Sequence, residues 1–476
     1  LIPYLTGLVC LLASLYAQAQ TPEAEGATST AQYIEMNECQ RLAEQHYQPL
    51  KLAQEEVAVA DAKALEAARE LWPNLAAKGE YTKGAAVVEL GTPGFTEQSY
   101  GVQMSYTLFQ GGRLWATYKQ ADDNLKIARL KYEKTRQAMI YEVTEAFWNL
   151  ARAQANVADY QDAYREVSRY SSMADKLHAA GTLMKKMMLS ANSQKRQCEY
   201  QIQSCQADLE KFLWKWTEVL GLEEPPLSRP QAEIPFQEKE FSLERSLKLA
   251  FEHNPEIQIQ KLTLDAGHYE LQTKNSYDWP KVELTGFYGR SGGAYESEAL
   301  SLREDYNFGV KLTQPFAWNS LDLSGFNQKT SPKLGQSSLT ESKTTSGTFN
   351  ILDGFKSAAE KQEAAWHFHQ AQFNLDKAKQ DVANEVREAY FNYRKALAQV
   401  RNSQLDVDLA ERELSIQKIN LRDDKATLPD VAEARNKVTG ARVSMREAYA
   451  FYLISLAALE KAVGMPEEFK VGEGVK

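Results

Sequence analysis

The residues able to carry chemistry are few, and none of them forms a recognisable catalytic or metal-binding motif. Met184, Met187 and Met188 offer thioethers that suit Cu(I), but methionines at helical spacing more often fill gaps in packing. His367 and His369 lie two residues apart on a predicted helix, so they face different ways and are not a ligand pair. The sequence has no phosphate loop, nucleophile elbow or metalloprotease helix. We therefore predict that the protein is not an enzyme and uses no cofactor or metal.

One pair of carboxylates has a spacing that could create a charged site. Asp430 and Glu433 follow Pro429, and at positions i and i+3 they share one face of a predicted helix. One interpretation is an acidic site that attracts cations. The other is structural, because proline and acidic side chains both suit the first turn of a helix. The residue types alone leave both interpretations open.

The elements that must position these residues are two very long helices. Leu114 to Ala180 and Ser357 to Leu428 contain no Gly or Pro over 67 and 72 residues. At 1.5 Å per residue each would be roughly 100 Å long, which exceeds any globular core. Apolar residues recur at steps of three and four along both stretches, and such sustained heptads predict coiled-coil packing.

The chain is a tandem duplication. Trp72-Pro73 reappears as Trp279-Pro280 at an offset of 207 residues, whereas Leu108 and Ile351 begin matching strand-to-helix junctions at an offset of 243. The second copy has therefore gained 36 residues, the difference between these offsets. Most of them fall in a Ser/Thr/Lys-rich insertion at about 318–350, which we expect to be a surface loop.

Two repeats and their flanking segments account for the whole chain. The first repeat, 36–224, contains a helix, a β-hairpin at 74–110, a long helix at 113–180 and a return helix at 183–220. The second, 242–466, contains a helix, a β-hairpin at 281–316, the insertion, a long helix at 356–428 and a return helix at 429–463. We predict a signal peptide at 1–19, a flexible segment at 20–35, a linker at 225–241 and a tail at 467–476.

Residues 1–19 predict export from the cytoplasm. The stretch is apolar from Leu5 to Leu15 and ends in Ala17-Gln18-Ala19, the pattern of a secretory signal. Cys10 lacks the small preceding residue expected of a lipidation site, so we interpret it as part of the apolar stretch. The remaining cysteines are predicted to be unpaired structural residues: Cys39, Cys198 and Cys205.

Beyond that segment, no apolar run approaches the roughly 18 to 20 residues that a membrane-spanning helix needs. An exported chain without such a helix is either soluble or a β-barrel. The net charge of −9 and the lack of any basic block argue against a nucleic-acid partner.

Each copy carries two strand patterns between its Trp-Pro pair and its long helix, with apolar residues on one face and polar residues on the other. This alternation suits a strand between lipid and a water-filled lumen, although a soluble amphipathic sheet would show it too. Four matching strands in an exported chain favour the barrel. The predicted lipid-facing residues are Leu75, Tyr81, Tyr100, Val102, Met104, Tyr106, Val282, Leu284, Tyr288, Phe308, Val310 and Leu312.

Four strands cannot close a barrel, and unpaired backbone groups in lipid cost several kcal/mol each. Because common membrane barrels have at least about eight strands, several copies must pool theirs. Three chains of four strands would give twelve.

Leu108-Phe109-Gln110-Gly111-Gly112-Arg113, the long and return helices and their duplication together resemble the TolC family of outer membrane efflux proteins. The resemblance covers essentially the whole mature chain. It implies an α+β membrane protein: a homotrimer in which a twelve-stranded outer membrane β-barrel continues into a periplasmic α-helical barrel. It also implies passive export through a channel, with a periplasmic adaptor (membrane fusion) protein and an inner membrane efflux pump or secretion ATPase as partners. A structural coiled-coil protein of the cell envelope is the alternative, and it leaves the lipid-type strands unexplained.

The resemblance also suggests roles for two turns. It implies that Asp430 and Glu433 form the channel gate, where threefold symmetry would bring six carboxylates together. The sequence departs from the family at this turn, because the expected glycine is replaced by Asp424-Lys425 and the basic partner that the resemblance leads us to expect near Ala426 is absent. The residues expected to form the periplasmic tip and contact the adaptor are Gly181, Leu183, Lys185, Lys186, Asp424 and Lys425.

Overall fold

The structure is a computed structural model of one chain, and it describes residues 33–85, 94–226, 229–230, 234–295, 298–316, 318–330, 340–423 and 425–464. The predicted signal peptide, most of the segment at 20–35, part of the linker and the tail lie outside the described residues. Cys10 and Asp424 lie outside them as well.

Eight α-helices, one short 3-10 helix (Ser276–Asp278) and eight strands make up the regular structure of the described residues. The helices are α1 (Met36–His46), α2 (Gln48–Glu70), α3 (Arg113–Ala179), α4 (Lys185–Leu220), α5 (Leu243–His253), α6 (Pro255–Asn275), α7 (Phe355–Arg422) and α8 (Leu428–Val463). The strands are β1 (Tyr33–Ile34), β2 (Asn74–Ala85), β3 (Gly94–Gln110), β4 (Arg229–Pro230), β5 (Lys281–Tyr295), β6 (Arg303–Phe316), β7 (Asn319–Thr330) and β8 (Thr340–Asn350). The α+β architecture of strand hairpins and long helices that the sequence predicts is confirmed.

Two glycines let β3 turn directly into α3. Gly111 and Gly112 have φ of 53° and 80°, in the left-handed region that side chains with a Cβ avoid. A Cβ at Gly111 would also lie 2.7 Å from the Trp279 side chain, which packs over the turn. The 67-residue α3 then runs without a break to Ala179. No helix in the described part of the chain is both long enough and apolar enough to cross a membrane.

Each repeat has its own apolar core where α1 or α5 packs against the long and return helices. In the first repeat, Cys39, Met139 and Trp216 are fully buried together. In the second, Tyr452 and Val386 occupy the equivalent layer. The apolar seam predicted for α3 and α7 is therefore confirmed at its centre.

The strands form an antiparallel sheet in the order β2-β3-β5-β6-β7-β8. The count of four strands per chain is wrong, because the insertion at 318–350 adds two more: β7 pairs with β6, and β8 pairs with β7. The expected surface loop is thus a strand hairpin. Its backbone groups bond to the preceding strand, so it is ordered by pairing although its composition is polar.

The fold generates a prediction about Gly221, the residue that ends α4 with φ of 70°. A Cβ there would lie 2.7 Å from the His46 carbonyl oxygen, whereas a Cβ at Gly181, φ 73°, would meet nothing within 4 Å. Alanine at either position forces the left-handed conformation at about 1–2 kcal/mol. Gly221→Ala should cost about 1–3 kcal/mol more than Gly181→Ala because of the clash. Chemical denaturation in detergent measures both, and equal midpoints would contradict the packing at α1.

Candidate functional site

The twelve residues predicted to face lipid all lie on one face of the sheet. Residues directly opposite in an antiparallel pair share a face, and the register pairs Leu75 with Met104 and Tyr106 with Leu284. It further pairs Leu284 with Val310 and Tyr288 with Tyr306. Period two along each strand places the other members of the set on the same face. Contact of this face with lipid remains a prediction.

Aromatic residues border this apolar face at both ends. At the helix side, Phe109 lies edge-on to Trp279 and Trp318 stacks on Phe355, with ring centroids 6.5 and 4.7 Å apart. All four side chains are exposed. At the far side, Tyr288 and Tyr306 stand opposite each other. Rings with a polar edge suit a boundary between an apolar and an aqueous phase.

Beyond the two tyrosines the same face becomes charged. The Tyr288 hydroxyl donates to Glu304 at 3.3 Å, and the Tyr306 hydroxyl donates to Glu341 at 3.0 Å. Lys329 pairs with Glu304 at 3.0 Å. The apolar band therefore ends at a defined level.

The height of the band matches a membrane. Tyr288 lies nine positions after Trp279, which is about 30 Å along a strand. A strand tilt of about 40° reduces this to about 23 Å, close to the band of about 25 Å in membrane barrels.

The opposite face of the sheet is polar. A depression of about 460 Å³ on it is lined by residues such as Lys78, Glu80, Glu97 and Asp305. The Asp305 carboxylate accepts a hydrogen bond of 2.5 Å from Ser291. Such a surface suits water and excludes lipid.

The helical turns far from the sheet come together. Leu428, at the start of α8, packs with Ala174 of α3 and Ala191 of α4, and Leu183 covers the contact. In the α3–α4 turn, Gly181 adopts φ of 73°. The turns of the two repeats therefore form one tip in the monomer.

Asp430 caps its own helix. Its Oδ2 accepts hydrogen bonds from the Thr427 amide at 2.8 Å and from the Thr427 hydroxyl at 2.6 Å. The bond from the Thr427 amide and the bond that the Asp430 amide donates to the Thr427 side chain together form a capping box. The side chain is nevertheless exposed, as is Glu433, which pairs with Lys437 at 3.3 Å. The structural interpretation thus holds for Asp430, and the gate role of both carboxylates remains a prediction.

The lysines predicted at the tip lie at the surface of the chain. Lys185 and Lys186 open α4 and are exposed, and no ion pair joins them to another residue in the described ranges. Lys425 is exposed and lies 3.5 Å from the Asp423 carboxylate. Their contact with an adaptor remains a prediction.

Sequence reasoning missed an ion cluster just above the tip. The Glu166 carboxylate on α3 lies 2.9 Å from the Lys418 ammonium of α7 and 2.7 Å from the Arg435 guanidinium of α8. Burial and the Glu166 charge together raise the pKa of Tyr170. These contacts tie the first repeat to both helices of the second.

No sequence signal could have found this cluster. Glu166 and Lys418 are 252 residues apart, and their meeting depends on how the helices are rotated about their axes. A second link of the same kind joins Arg446 to Asp159.

Comparison with known proteins gives one family and a set of similar folds. The family model described as "Outer membrane efflux protein" matches residues 40–197 and 319–465, more than half of the chain. No curated protein matches the sequence.

Three solved structures illustrate the similarity of fold. A membrane protein from Pseudomonas aeruginosa has a TM-score of 0.71 at 15% identity, covering 94% of this chain and 96% of that one. The Campylobacter jejuni CmeC outer membrane channel has a TM-score of 0.71 at 18% identity, with 94% of each chain covered. The open state of the Neisseria gonorrhoeae MtrE outer membrane channel has a TM-score of 0.70 at 14% identity, covering 94% of this chain and 96% of that one. At such identities the similarity concerns the fold alone.

The ion cluster generates a prediction. Glu166→Gln leaves two cations without a counter-charge in a partly buried place, and we expect a loss of about 1–3 kcal/mol in unfolding free energy. Glu433→Gln is the matched control, since its exposed pair with Lys437 should contribute under about 0.5 kcal/mol. Hydrogen exchange at the tip and denaturant midpoints measure both. An unchanged midpoint for Glu166→Gln would show that the cluster does not stabilise the tip.

Proposed function

We propose, since the chain belongs to the outer membrane efflux protein family, that three copies form a channel that conducts substrates passively out of the periplasm. The family match confirms the resemblance to TolC-type channels that the sequence predicts. The observation that carries the proposal is the two-faced sheet: apolar between two aromatic borders on one side, polar on the other. This is the construction of a wall between lipid and water.

The helices would supply the periplasmic tunnel. At 1.5 Å per residue the 67 residues of α3 extend about 100 Å from the sheet. Three copies of α3, α4, α7 and α8 would surround a continuous conduit. Nothing in such a conduit supplies energy, so an inner membrane pump or secretion ATPase, reached through a periplasmic adaptor, would drive transport.

The tip would be both gate and docking point. Asp430 and Glu433 are exposed in the monomer and therefore free to face a threefold axis. The exposed Lys185, Lys186 and Lys425 offer opposite charge on neighbouring turns, available to an adaptor or to another copy.

Single-channel conductance in a planar bilayer tests the channel and its gate together. The variant to compare is Asp430→Asn with Glu433→Gln, because asparagine keeps an oxygen that can accept the Thr427 bonds while losing the charge. We expect small cation-selective steps in the native protein and at least a several-fold loss of cation selectivity in the variant. The control is Glu218→Gln, an exposed acidic residue near the end of α4, remote from the tip.

Each other outcome has a clear meaning. Unchanged selectivity in the double variant would leave the channel in place and move the gate elsewhere. A protein that stays soluble and monomeric without detergent would overturn the channel and favour a structural coiled-coil protein of the envelope.

A further inference from the structure

Strands β7 and β8 are full members of the six-stranded sheet. β6 and β7 are in register over eleven residue pairs, from Tyr306↔Lys329 to Phe316↔Asn319. β7 and β8 are in register over eleven more. Strands of 12 and 11 residues are long enough to cross a membrane at the usual tilt. The hairpin therefore has the length and the pairing of a wall element.

The β7–β8 hairpin also resembles the β5–β6 hairpin in sequence, as a duplicated copy of it would. The segments 282–287 and 321–326 read VELTGF and LDLSGF, at an offset of 39 residues. The same offset relates Val310 to Phe349, Leu312 to Ile351 and Phe316 to Phe355. The match between the two hairpins lies at the helix side of their strands.

The joints between successive hairpins are built alike. A Cβ at Gly101 of β3 would lie 2.8 Å from the Phe287 ring of β5, and one at Gly309 of β6 would lie 2.0 Å from the Phe326 ring of β7. In each case the phenylalanine of one hairpin covers a glycine of the hairpin before it. The added hairpin is joined to the sheet in the way that the two repeats are joined to each other.

The apolar face continues onto the new strands at their helix side. Leu312 of β6 stands opposite Leu323 of β7, and Leu321 stands opposite Phe349 of β8. Further from the helices, these strands carry Lys329 and Lys343 on the same face, at the level where Glu304 and Glu341 begin the charged zone.

Among the described strands, the two outer strands of the sheet, β2 and β8, each have a neighbour on one side only. β2 starts at the helix side and β8 ends there, so β8 of one chain would meet β2 of the next in the antiparallel sense of every other neighbour. Their lengths, 11 and 12 residues, match. Open edges are not tolerated in lipid, and a second copy of this chain supplies the complementary edge.

We infer that the barrel has eighteen strands, six from each of three chains, and that β8 of one copy pairs with β2 of the next. This inference rests on the proposed trimeric channel. Because barrel diameter grows roughly linearly with strand number, the membrane pore would be about 1.5 times as wide as one of twelve strands. The opening at the cell surface would then be wide, and selection would fall to the tip.

Disulfide cross-linking tests the edge pairing directly. Thr345, in the middle of β8, shares a face with alternate residues of β2. With Thr345→Cys fixed, cysteine is placed in turn at five β2 positions that cover the possible registers: Leu75, Ala77, Gly79, Tyr81 and Lys83. The competing arm replaces Thr345 with Val310→Cys in β6, which would neighbour β2 only if the hairpin lay outside a twelve-stranded barrel.

The native cysteines interfere little. Cys39 and Cys198 are buried, and burial raises the pKa of their thiols to about 12 and about 11. Cys205 is half-buried and is replaced by serine.

We expect Thr345→Cys to form covalent dimers and trimers with one or two adjacent β2 positions on oxidation, and Val310→Cys to form none. Cross-links from Val310→Cys between chains would overturn the inference in favour of twelve strands. So would a link from Thr345→Cys within a single chain, or no link from either strand in a trimer verified by its mass in detergent. A protein that is not trimeric would instead refute the proposed function, so the two failures are distinguishable.

Discussion

The constraint on which the proposed channel depends is that every backbone N–H and C=O group in lipid must be paired. One chain builds a sheet with two unfinished edges, which no other described strand completes. In water such edges would be a liability, but in a membrane they are not permitted at all. In the proposed channel, oligomerisation would therefore be a condition of the fold, and the number of strands per chain would set the width of the pore. Because α3 and α7 leave the sheet directly, the placement of the strands also sets that of the long helices.

The helical part obeys a different constraint. Its seam contains many alanines, so neighbouring helices approach closely, and buried apolar layers hold each repeat together. Between the repeats, near the tip, specific polar contacts take over: Glu166 with Lys418 and Arg435, and Asn436 with Gln194 at 2.9 Å. Such contacts fix the rotation of one helix against another, which apolar packing alone leaves less determined.

The sequence predicted most of this architecture because periodic patterns report it directly. Breaker-free heptads gave the long helices, and period-two alternation gave β2, β3, β5 and β6. The same logic failed for β8, because Thr340 to Asn350 is polar on both faces over most of its length and carries no alternation. A strand that is held by hydrogen bonds to its neighbour does not need such alternation. Glu166 was missed for a related reason, since contacts between distant helices leave no local trace.

In the proposed channel, the Asp430 side chain would combine a structural role at its helix end with an electrostatic role at the gate. Both bonds from Thr427 reach the same oxygen, Oδ2, so Oδ1 is not used by the cap. At a threefold axis, the carboxylates would repel one another, and each side chain could escape only by breaking its capping box. The repulsion between the carboxylates would then be relieved more easily if α8 moved as a unit or if a cation bound between the chains. In the proposed gate, a capped carboxylate would thus transmit charge repulsion to its helix.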